Sequence, residues 1–201
     1  MSLSNPLTPS DKWLSTDELF NKLYPPSVRL LANNHWTPLA VAREVALFLG
    51  VEKGSKILDI GSGVGKFCLP AAVLKPACFF YGIEQRKDLI QHAETAKSIL
   101  NVSNVLFTHG NFTNLKFKDY HHFYFYNSFY ENLPGTQKID QQLTYTPELY
   151  KYYYSMLYRQ LAPLPSGTRL AIYHSPEDEM PPGFYVVKSD KENLLNFLIK
   201  E

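Results

Sequence analysis

The stretch Ile57-Leu58-Asp59-Ile60-Gly61-Ser62-Gly63-Val64-Gly65 decides the fold of this chain. A short apolar run with one carboxylate in it leads into a turn that holds three glycines at alternate positions. Glycine adopts positive φ angles readily and leaves no Cβ between the backbone and a ligand. A buried strand, a glycine turn and a helix that starts directly after it indicate the first unit of a parallel α/β sheet.

Segments of alternating strand and helix character follow this unit. Strands are predicted over residues 56–60, 79–84, 105–110, 121–127 and 169–173, and helices over residues 66–74, 86–100 and 147–161. Strands that alternate with helices form a parallel sheet covered on both faces. The tail differs, because residues 184–188 and 194–199 have strand character with only a short polar turn between them. The predicted fold is therefore an α/β sheet of seven strands, mostly parallel, with a C-terminal antiparallel hairpin.

Prolines interrupt the first part of the chain repeatedly. We interpret residues 1–35 as an N-terminal lid or brace and residues 36–201 as the main domain. A regular helix is predicted directly after this boundary. Thr37 is its predicted N-cap, Pro38 its first helical residue and Gly50 its end.

The composition weighs against some classes of protein. The chain has 201 residues, of which 45% are hydrophobic and 19% charged, and this suits one ordered domain rather than a disordered chain. Lys and Arg number 20 against 19 Asp and Glu, which leaves a net charge of +1. Nucleic-acid binders usually carry a clear basic excess. Nucleic acid is therefore not the expected partner and is kept only as an alternative.

Cysteine, histidine and hydropathy patterns set the expected environment. Two cysteines, Cys68 and Cys78, are too few for a disulfide framework, so the expected location is the cytoplasm. No apolar stretch reaches the length of a membrane span, and no membrane partner is expected. His121 and His122 point to opposite faces of a strand without further ligands at metal-binding spacing, so no metal is expected. The sequence leaves the oligomeric state open.

The spacing of the glycines argues against a dinucleotide site. The turn reads G-x-G-x-G, whereas the dinucleotide fingerprint is G-x-G-x-x-G and would need a glycine where Lys66 stands. Asp59, just before the turn, would repel a pyrophosphate and attract an ammonium group. A nicotinamide-dependent oxidoreductase is therefore a disfavoured competing class.

An acidic residue at the end of the second predicted strand supplies the next constraint. Glu84 stands where a carboxylate can accept hydrogen bonds from both hydroxyls of a ribose. A ligand with a ribose and an ammonium group but no phosphate is S-adenosylmethionine, which we predict as the cofactor. After the third strand, the amide of Asn111 can bond the adenine edge and the ring of Phe112 can cover its face. The other predicted cofactor-binding residues are Trp36, Thr37, Asp59, Gly61, Ser62, Gly63, Gly65, Gln85 and Asn127.

The segment Asn127-Ser128-Phe129-Tyr130 follows the fourth predicted strand, beside the place where a transferred methyl group must emerge. Asn127 and Tyr130 are the predicted catalytic residues, with Asn127 orienting an amine and Phe129 or Tyr130 walling its channel. A second interpretation is an adenine amino group of a nucleic acid, because the segment loosely resembles an Asn-Pro-Pro-Tyr motif without its prolines. A third is that Asn127 only bonds neighbouring backbone.

From about Thr37 to Glu131, together with the tail hairpin, the sequence resembles the class I S-adenosylmethionine-dependent methyltransferases. The matching motifs are residues 59–65, Glu84, Gly110-Asn111-Phe112 and Asn127. The resemblance implies a Rossmann-like seven-stranded fold with helices on both faces. It also implies a glycine loop around the methionine part of the cofactor, Glu84 on the ribose, and Asn111 on the adenine where the family usually has an acid.

A narrower likeness concerns the acceptor. The strings Asp-Ile-Gly-Ser-Gly-Val-Gly, Gly-Asn-Phe and Asn-Ser-Phe together resemble the disruptor-of-telomeric-silencing histone lysine methyltransferases, and similar small prokaryotic proteins share the Thr37-Pro38 helix start. The likeness is confined to the catalytic core. It implies methyl transfer to a protein amine of the lysine type. The alternatives are transfer to RNA or DNA adenine, transfer to a small molecule, and a non-catalytic S-adenosylmethionine-binding module.

Overall fold

One seven-stranded sheet forms the centre of the molecule. The computed structural model describes residues 12–174, 181–190, 192 and 194–201. Its strands are β1 (Lys56–Ile60), β2 (Phe79–Glu84), β3 (Val105–His109), β4 (His122–Tyr126), β5 (Arg169–Tyr173), β6 (Phe184–Asp190) and β7 (Leu195–Lys200). Its α-helices are α1 (Asp17–Asn21), α2 (Pro26–Arg29), α3 (Ala32–His35), α4 (Leu39–Leu49), α5 (Cys68–Leu74), α6 (Lys87–Leu100) and α7 (Pro147–Leu161). Short 3₁₀ helices cover Phe112–Asn114, Phe117–Asp119 and Tyr130–Asn132.

The strands lie in the order β3-β2-β1-β4-β5-β7-β6. Strands β1 to β5 run parallel, and β7 inserts antiparallel between β5 and β6. This confirms the predicted mostly parallel sheet with a C-terminal antiparallel hairpin. The predicted bounds of β1, β2, β5 and α7 are confirmed, whereas β6 runs past its predicted end at Lys188 to Asp190, with a bulge after Val186.

The pleat of β1 divides its side chains between two hydrophobic cores. Ile57 lies in the first core with α4, α5 and α6, while Leu58 and Ile60 lie in the second core with α7. Residues at alternate positions of a strand face opposite sides of the sheet, so Asp59 shares the side of Ile57 and is buried there. Helices therefore cover both faces of the sheet, as the alternation of strand and helix patterns predicted.

The start of α4 differs from the prediction. Thr37 is not its N-cap, because its hydroxyl makes a 3.0 Å hydrogen bond with the hydroxyl of Tyr124. Pro38 is extended and precedes the helix, which begins at Leu39. The amide of Leu39 donates instead to the carboxylate of Asp17 at 3.1 Å. The sequence pattern could not reveal this cap, since Asp17 lies on a different helix.

The N-terminal segment packs against the glycine turn. The hydroxyl of Tyr24 donates to the carbonyl oxygen of Val64 at 2.9 Å. The ammonium of Lys66 pairs with the carboxylate of Asp17 at 2.5 Å, and the ring of Phe20 is fully buried. These contacts fit a brace, and the separate lid function of residues 1–35 stays a prediction.

Gly65 makes room for a neighbouring strand rather than for a ligand. Its φ is +81°, and a Cβ built on it would lie 2.5 Å from the ring of Phe107 on β3. Gly54 has nearly the same φ, +84°, but no atom of the described residues lies within 4 Å of its Cβ position. A substitution at Gly54 therefore introduces backbone strain alone, whereas one at Gly65 introduces the same strain together with a steric clash.

We expect Gly65→Ala to lower the free energy of unfolding by about 3 kcal/mol, because left-handed strain and overpacking against Phe107 add together. Gly54→Ala is the matched control and should cost about 1 kcal/mol, from the backbone alone. Urea denaturation followed by circular dichroism measures both values. Equal losses in the two variants would contradict the packing role of Gly65.

Candidate active site

The glycine turn is held by hydrogen bonds to the neighbouring strand. The amides of Gly61 and Ser62 both donate to the carbonyl oxygen of Ile83 on β2, at 2.9 and 3.0 Å. Gly61 has a φ of +78°, and the side chain of Ser128 fills the space that a Cβ on Gly61 would need. Ser128 in turn donates to the carbonyl oxygen of Ile60 at 2.6 Å. The turn is therefore fixed between the ends of β2 and β4.

The carboxylate of Glu84 faces this turn at the end of β2. One oxygen accepts a hydrogen bond from the amide of Gly63 at 3.1 Å, and the other accepts from the amide of Arg86 at 3.0 Å. Burial raises the pKa of Glu84, and the hydrogen bond and charge of Arg86 offset part of this effect. The side chain is thus a buried, oriented acceptor, as a ribose-binding acid requires.

A cavity of about 300 Å³ opens in front of Glu84 and Gly63. A volume of this size suits a small ligand. The predicted cofactor-binding residues on its wall are Trp36, Gly61, Gly63, Glu84, Gln85 and Phe112. The ring of Phe112 stacks on that of Phe129 with their centres 5.1 Å apart, so two aromatic rings form one side of the cavity.

Three predicted residues lie in a small cleft that adjoins this cavity. Thr37, Asp59 and Ser62 line it together with His35 and Trp36. Asp59 accepts a long contact of 3.5 Å from the Cys68 thiol. Burial raises the pKa of Asp59 to about 8, an effect that the Cys68 contact reduces and the nearby Glu84 increases. Asp59 is therefore a buried carboxyl group whose charged form a nearby cation would stabilise.

Asn111 does not lie on the wall of the cavity. Its amide nitrogen donates to the side-chain oxygen of Gln85 at 3.0 Å and to the hydroxyl of Tyr153 at 3.1 Å. Its oxygen accepts from the amide of Thr113 and so caps the first 3₁₀ helix. Asn111 therefore holds Gln85 in place, and Gln85, not Asn111, lines the cavity.

A second, more open pocket of about 730 Å³ contains the two predicted catalytic residues. Asn127 has a φ of +34°, and Tyr130 is 46% exposed. Neither residue lines the cofactor cavity, so the structure separates Asn127 from the other predicted cofactor-binding residues. The two pockets meet at a wall that both share, formed by His35, Trp36 and Tyr126.

The sequence analysis missed the outer wall of the cofactor cavity. The wall residues between Tyr130 and helix α7 are Glu131, Asn132, Ile139, Leu143, Thr144 and Tyr145. This segment has no helical or strand periodicity beyond the short 3₁₀ turn, and no motif marks it. Arg86 was also missed, because a single Arg carries no spacing signal.

The residues at the junction fit a nucleoside that carries a cation. Among the described residues, the buried Oγ of Ser62 and the buried Nε2 of His35 have no hydrogen-bond partner, and such orphaned groups are costly unless a ligand or water satisfies them. No described atom lies within 4 Å of a Cβ built on Gly63, so its backbone is open to a ligand. Two carboxylates, Asp59 and Glu84, flank this opening. These polar groups and the open backbone of Gly63 therefore fit S-adenosylmethionine.

The described part of the chain contains no group of three or more His, Cys, Asp or Glu side chains that could hold a metal ion. His122 is buried, and its Nδ1 accepts a hydrogen bond from the amide of Arg169 at 3.1 Å. Within the same residues, no helix has both the length and the apolar character needed to cross a bilayer.

Comparisons with known proteins agree with this site. Residues 51–143 match a family described as a methyltransferase domain. The match covers the glycine turn, the strand that ends in Glu84 and the outer wall of the cavity as far as Leu143. No curated protein sequence matches the chain.

Several solved structures share the fold. Precorrin-6y C5,15-methyltransferase from Geobacter metallireducens GS-15 is 15% identical with a TM-score of 0.55, and the match covers 85% of this chain and 92% of that one. An RNA methyltransferase from Salinibacter ruber, in complex with S-adenosyl-L-homocysteine, is 20% identical with a TM-score of 0.55 over 81% and 90% of the two chains. TrmN from Thermus thermophilus is 17% identical with a TM-score of 0.59, and the match covers 90% of this chain but 52% of TrmN.

The sheet has the Rossmann-like methyltransferase fold, and the matched residues 51–143 hold the glycine turn and Glu84 of the site. Residues 51–143 match a methyltransferase domain, and the methyl donor is S-adenosylmethionine. The predicted fold, enzyme class and cofactor are thereby confirmed. The individual contacts of the predicted cofactor-binding residues stay predictions.

The raised pKa of Asp59 leads to a pH dependence of cofactor binding. Asp59 is mostly neutral below about pH 8, so a bound ammonium group must displace its proton there. We expect the affinity for S-adenosylhomocysteine, measured by titration calorimetry, to rise between pH 6 and 8 by up to about tenfold per pH unit. In Asp59→Asn the affinity should be weaker and nearly independent of pH.

Equal wild-type affinities at pH 6 and pH 8 would contradict the assignment. A slope that persists in Asp59→Asn would assign the titration to Glu84 instead, because that buried carboxylate also has a raised pKa.

Proposed function

We propose that this chain transfers the methyl group of S-adenosylmethionine to an amine of the lysine type on a protein. The observation that carries the proposal is the shared wall of His35, Trp36 and Tyr126 between the cofactor cavity and the more open second pocket. The cofactor supplies an electrophilic methyl group on a sulfonium. An acceptor in the second pocket would approach this methyl group past the shared wall, and alignment of the two groups is the main contribution that a protein can make to such a transfer.

Aromatic side chains of the second pocket support an amine as the acceptor. Tyr126, Tyr130 and Tyr173 line the pocket, and aromatic rings attract alkylammonium groups through their negative faces. Trp36 has a similar contact inside the chain, since the ammonium of Lys66 lies 5.6 Å from the centre of its ring. The pocket is therefore suited to a cation on a slender aliphatic stem.

Asn127 and Tyr130 are proposed to hold the acceptor. The backbone at Asn127 has a positive φ, which is uncommon outside glycine and often occurs at functional sites. The carbonyl oxygen of Asn127 accepts from the amide of Tyr130 at 3.0 Å, so the amide side chain of Asn127 is not needed to form this turn. It is left to orient the nitrogen of the amine, while the half-exposed Tyr130 forms the mouth of the pocket.

His35 is proposed to accept the proton that an ammonium acceptor must lose before it can attack. Its ring lines both pockets. Burial lowers its pKa, an effect that Glu131 opposes and Arg86 reinforces, so the imidazole is neutral near pH 7. A neutral imidazole can take the proton from the nitrogen, and the nitrogen lone pair then becomes available for attack on the methyl carbon.

The sequence resemblance adds support to this acceptor class. The glycine turn and the Asn127-Ser128-Phe129 string resemble those of lysine methyltransferases. The solved structures that share the fold include a precorrin methyltransferase and an RNA methyltransferase. At these identities they share the fold alone, so the acceptor must be determined by experiment.

The test uses tritiated-methyl S-adenosylmethionine and cell extract separated into protein, RNA and small-molecule fractions. We expect label in the protein fraction only, recovered after acid hydrolysis as methylated lysine. Label in RNA or in small molecules would overturn the protein amine, and label in another amino acid would overturn lysine. Gly63→Arg sets the background, because its side chain would fill the cofactor cavity. Gly54→Arg is the matched control, since it places the same side chain at another positive-φ position outside the cavity.

Variants at the second pocket test its part in the transfer. We expect Asn127→Ala and Tyr130→Ala to reduce the labelling rate at least about tenfold, the cost of losing one group that aligns the acceptor. Their affinity for S-adenosylhomocysteine should stay within about twofold of wild type, because neither side chain lines the cofactor cavity. Unchanged labelling in both variants would place the acceptor elsewhere.

A further inference from the structure

One buried arginine connects the ribose-binding carboxylate to the outer wall of the cofactor cavity. Arg86 follows β2, and its side chain is 5% exposed. Its Nε donates to Asp140 at 2.8 Å, and one terminal nitrogen donates to both carboxylate oxygens of Glu131 at 3.0 and 2.8 Å. The same nitrogen lies 2.7 Å from the hydroxyl of Tyr145, and the other terminal nitrogen lies 3.6 Å from Glu84. A single guanidinium thus contacts three carboxylates.

The partners of Arg86 belong to the segment 131–145 that forms the outer wall. The segment is folded around the guanidinium, since Glu131 also accepts from the amide of Ile139 at 2.5 Å. The hydroxyl of Tyr145 donates to the carbonyl oxygen of Asp140 at 3.1 Å. The side chain of Arg86, which follows β2, therefore joins three residues of this wall through hydrogen bonds.

The charges explain why this arginine remains buried. Burial alone would lower the pKa of Arg86, but Glu131 and Glu84 raise it further than burial lowers it, so the guanidinium stays charged. A buried charge is tolerated only when its hydrogen-bonding groups are satisfied. Removal of the Arg86 guanidinium would leave Glu84 and Glu131 buried without their common counter-charge, and Glu84 would then be held by the backbone amides of Gly63 and residue 86 alone.

The two oxygens of Glu84 are held from different sides. Gly63 holds one through its amide, and Arg86 holds the other through its amide at 3.0 Å and its guanidinium at 3.6 Å. A carboxylate fixed at both oxygens has one orientation, which a pair of neighbouring ribose hydroxyls requires. The same arginine therefore controls both the orientation of the acid and the position of the wall.

We infer that Arg86 is the positioning residue of the cofactor site. It orients Glu84 toward the ribose hydroxyls and holds segment 131–145 closed over the bound nucleoside, so that cofactor binding and wall closure are coupled. This inference rests on the cofactor site of the proposed function and is independent of the acceptor.

The first test measures recognition of the ribose in Arg86→Lys. Titration calorimetry compares S-adenosylhomocysteine with its 2′-deoxy analogue. In the wild type we expect the analogue to bind about tenfold or more weakly, because it lacks a hydrogen bond to a charged group. In Arg86→Lys we expect S-adenosylhomocysteine to lose about tenfold in affinity and the ratio between the two ligands to decrease, because Glu84 keeps its two backbone amides but loses the guanidinium 3.6 Å from its second oxygen.

Arg169→Lys is the matched control. Arg169 is another partly buried arginine, which donates to the carbonyl oxygen of Phe48 at 2.9 Å, and it lies at the start of β5, away from the carboxyl ends of the strands that carry the site. Its replacement lowers stability without a reason to change ribose recognition, so the ratio between the two ligands should equal that of the wild type.

Asp140→Asn is the milder variant, since it weakens the anchor of the wall but leaves the contacts of Arg86 with Glu131 and Glu84.

The second test follows closure of the wall by hydrogen exchange. In the wild type, S-adenosylhomocysteine should slow exchange of the backbone amides of residues 131–145. Arg86→Lys and Asp140→Asn should each reduce this slowing at saturating ligand. Wild-type ligand ratios and wild-type exchange in both variants would overturn the inference and leave the proposed function intact, whereas failure of the wild type to bind S-adenosylhomocysteine would overturn both. Label in RNA in place of protein would change the acceptor alone.

Discussion

The carbonyl oxygen of Ile83 accepts hydrogen bonds from two consecutive amides of the glycine turn, and the active site depends on this contact. It joins the end of β2 to the turn that follows β1, so Gly63 comes to face Glu84. Side chains would obstruct this approach, because the space beside Gly61 is filled by Ser128 and the space beside Gly65 by Phe107. The glycines therefore serve two purposes: some admit neighbouring side chains, and Gly63 leaves the backbone open to the ligand.

Two buried carboxylates then give the site its chemical character. Glu84 keeps neighbouring hydrogen-bond donors on both oxygens, whereas Asp59 has only a long contact with a thiol and a pKa raised to about 8. A buried acid without a strong partner is unfavourable in its charged form and gains most from an arriving cation. The site is thus divided into an end that recognises hydroxyls and an end that recognises positive charge, which matches the two halves of a sulfonium nucleoside.

Much of the fold and part of the site could be predicted from the sequence, and the failures have a common cause. Strands β1 and β2 and helix α7 have clear periodicity and end signals, and their bounds were predicted correctly. The errors concern contacts between distant parts of the chain. Thr37 bonds Tyr124 and leaves the amide of Leu39 to Asp17, while Asn111 bonds Gln85 instead of facing the cavity. Local patterns identify which residues can form hydrogen bonds, but only the packed chain decides which partner each one has.

The link between the N-terminal segment and the glycine turn has a consequence for how the catalytic domain should be delimited. Asp17 caps α4 and pairs with Lys66, and Tyr24 binds the carbonyl of Val64 within the turn. A shortened protein that starts at His35 would retain every strand of the sheet but lose these three restraints. Its weaker hold on a nucleoside would then reflect a loosened loop, even though each residue that touches the ligand was still present.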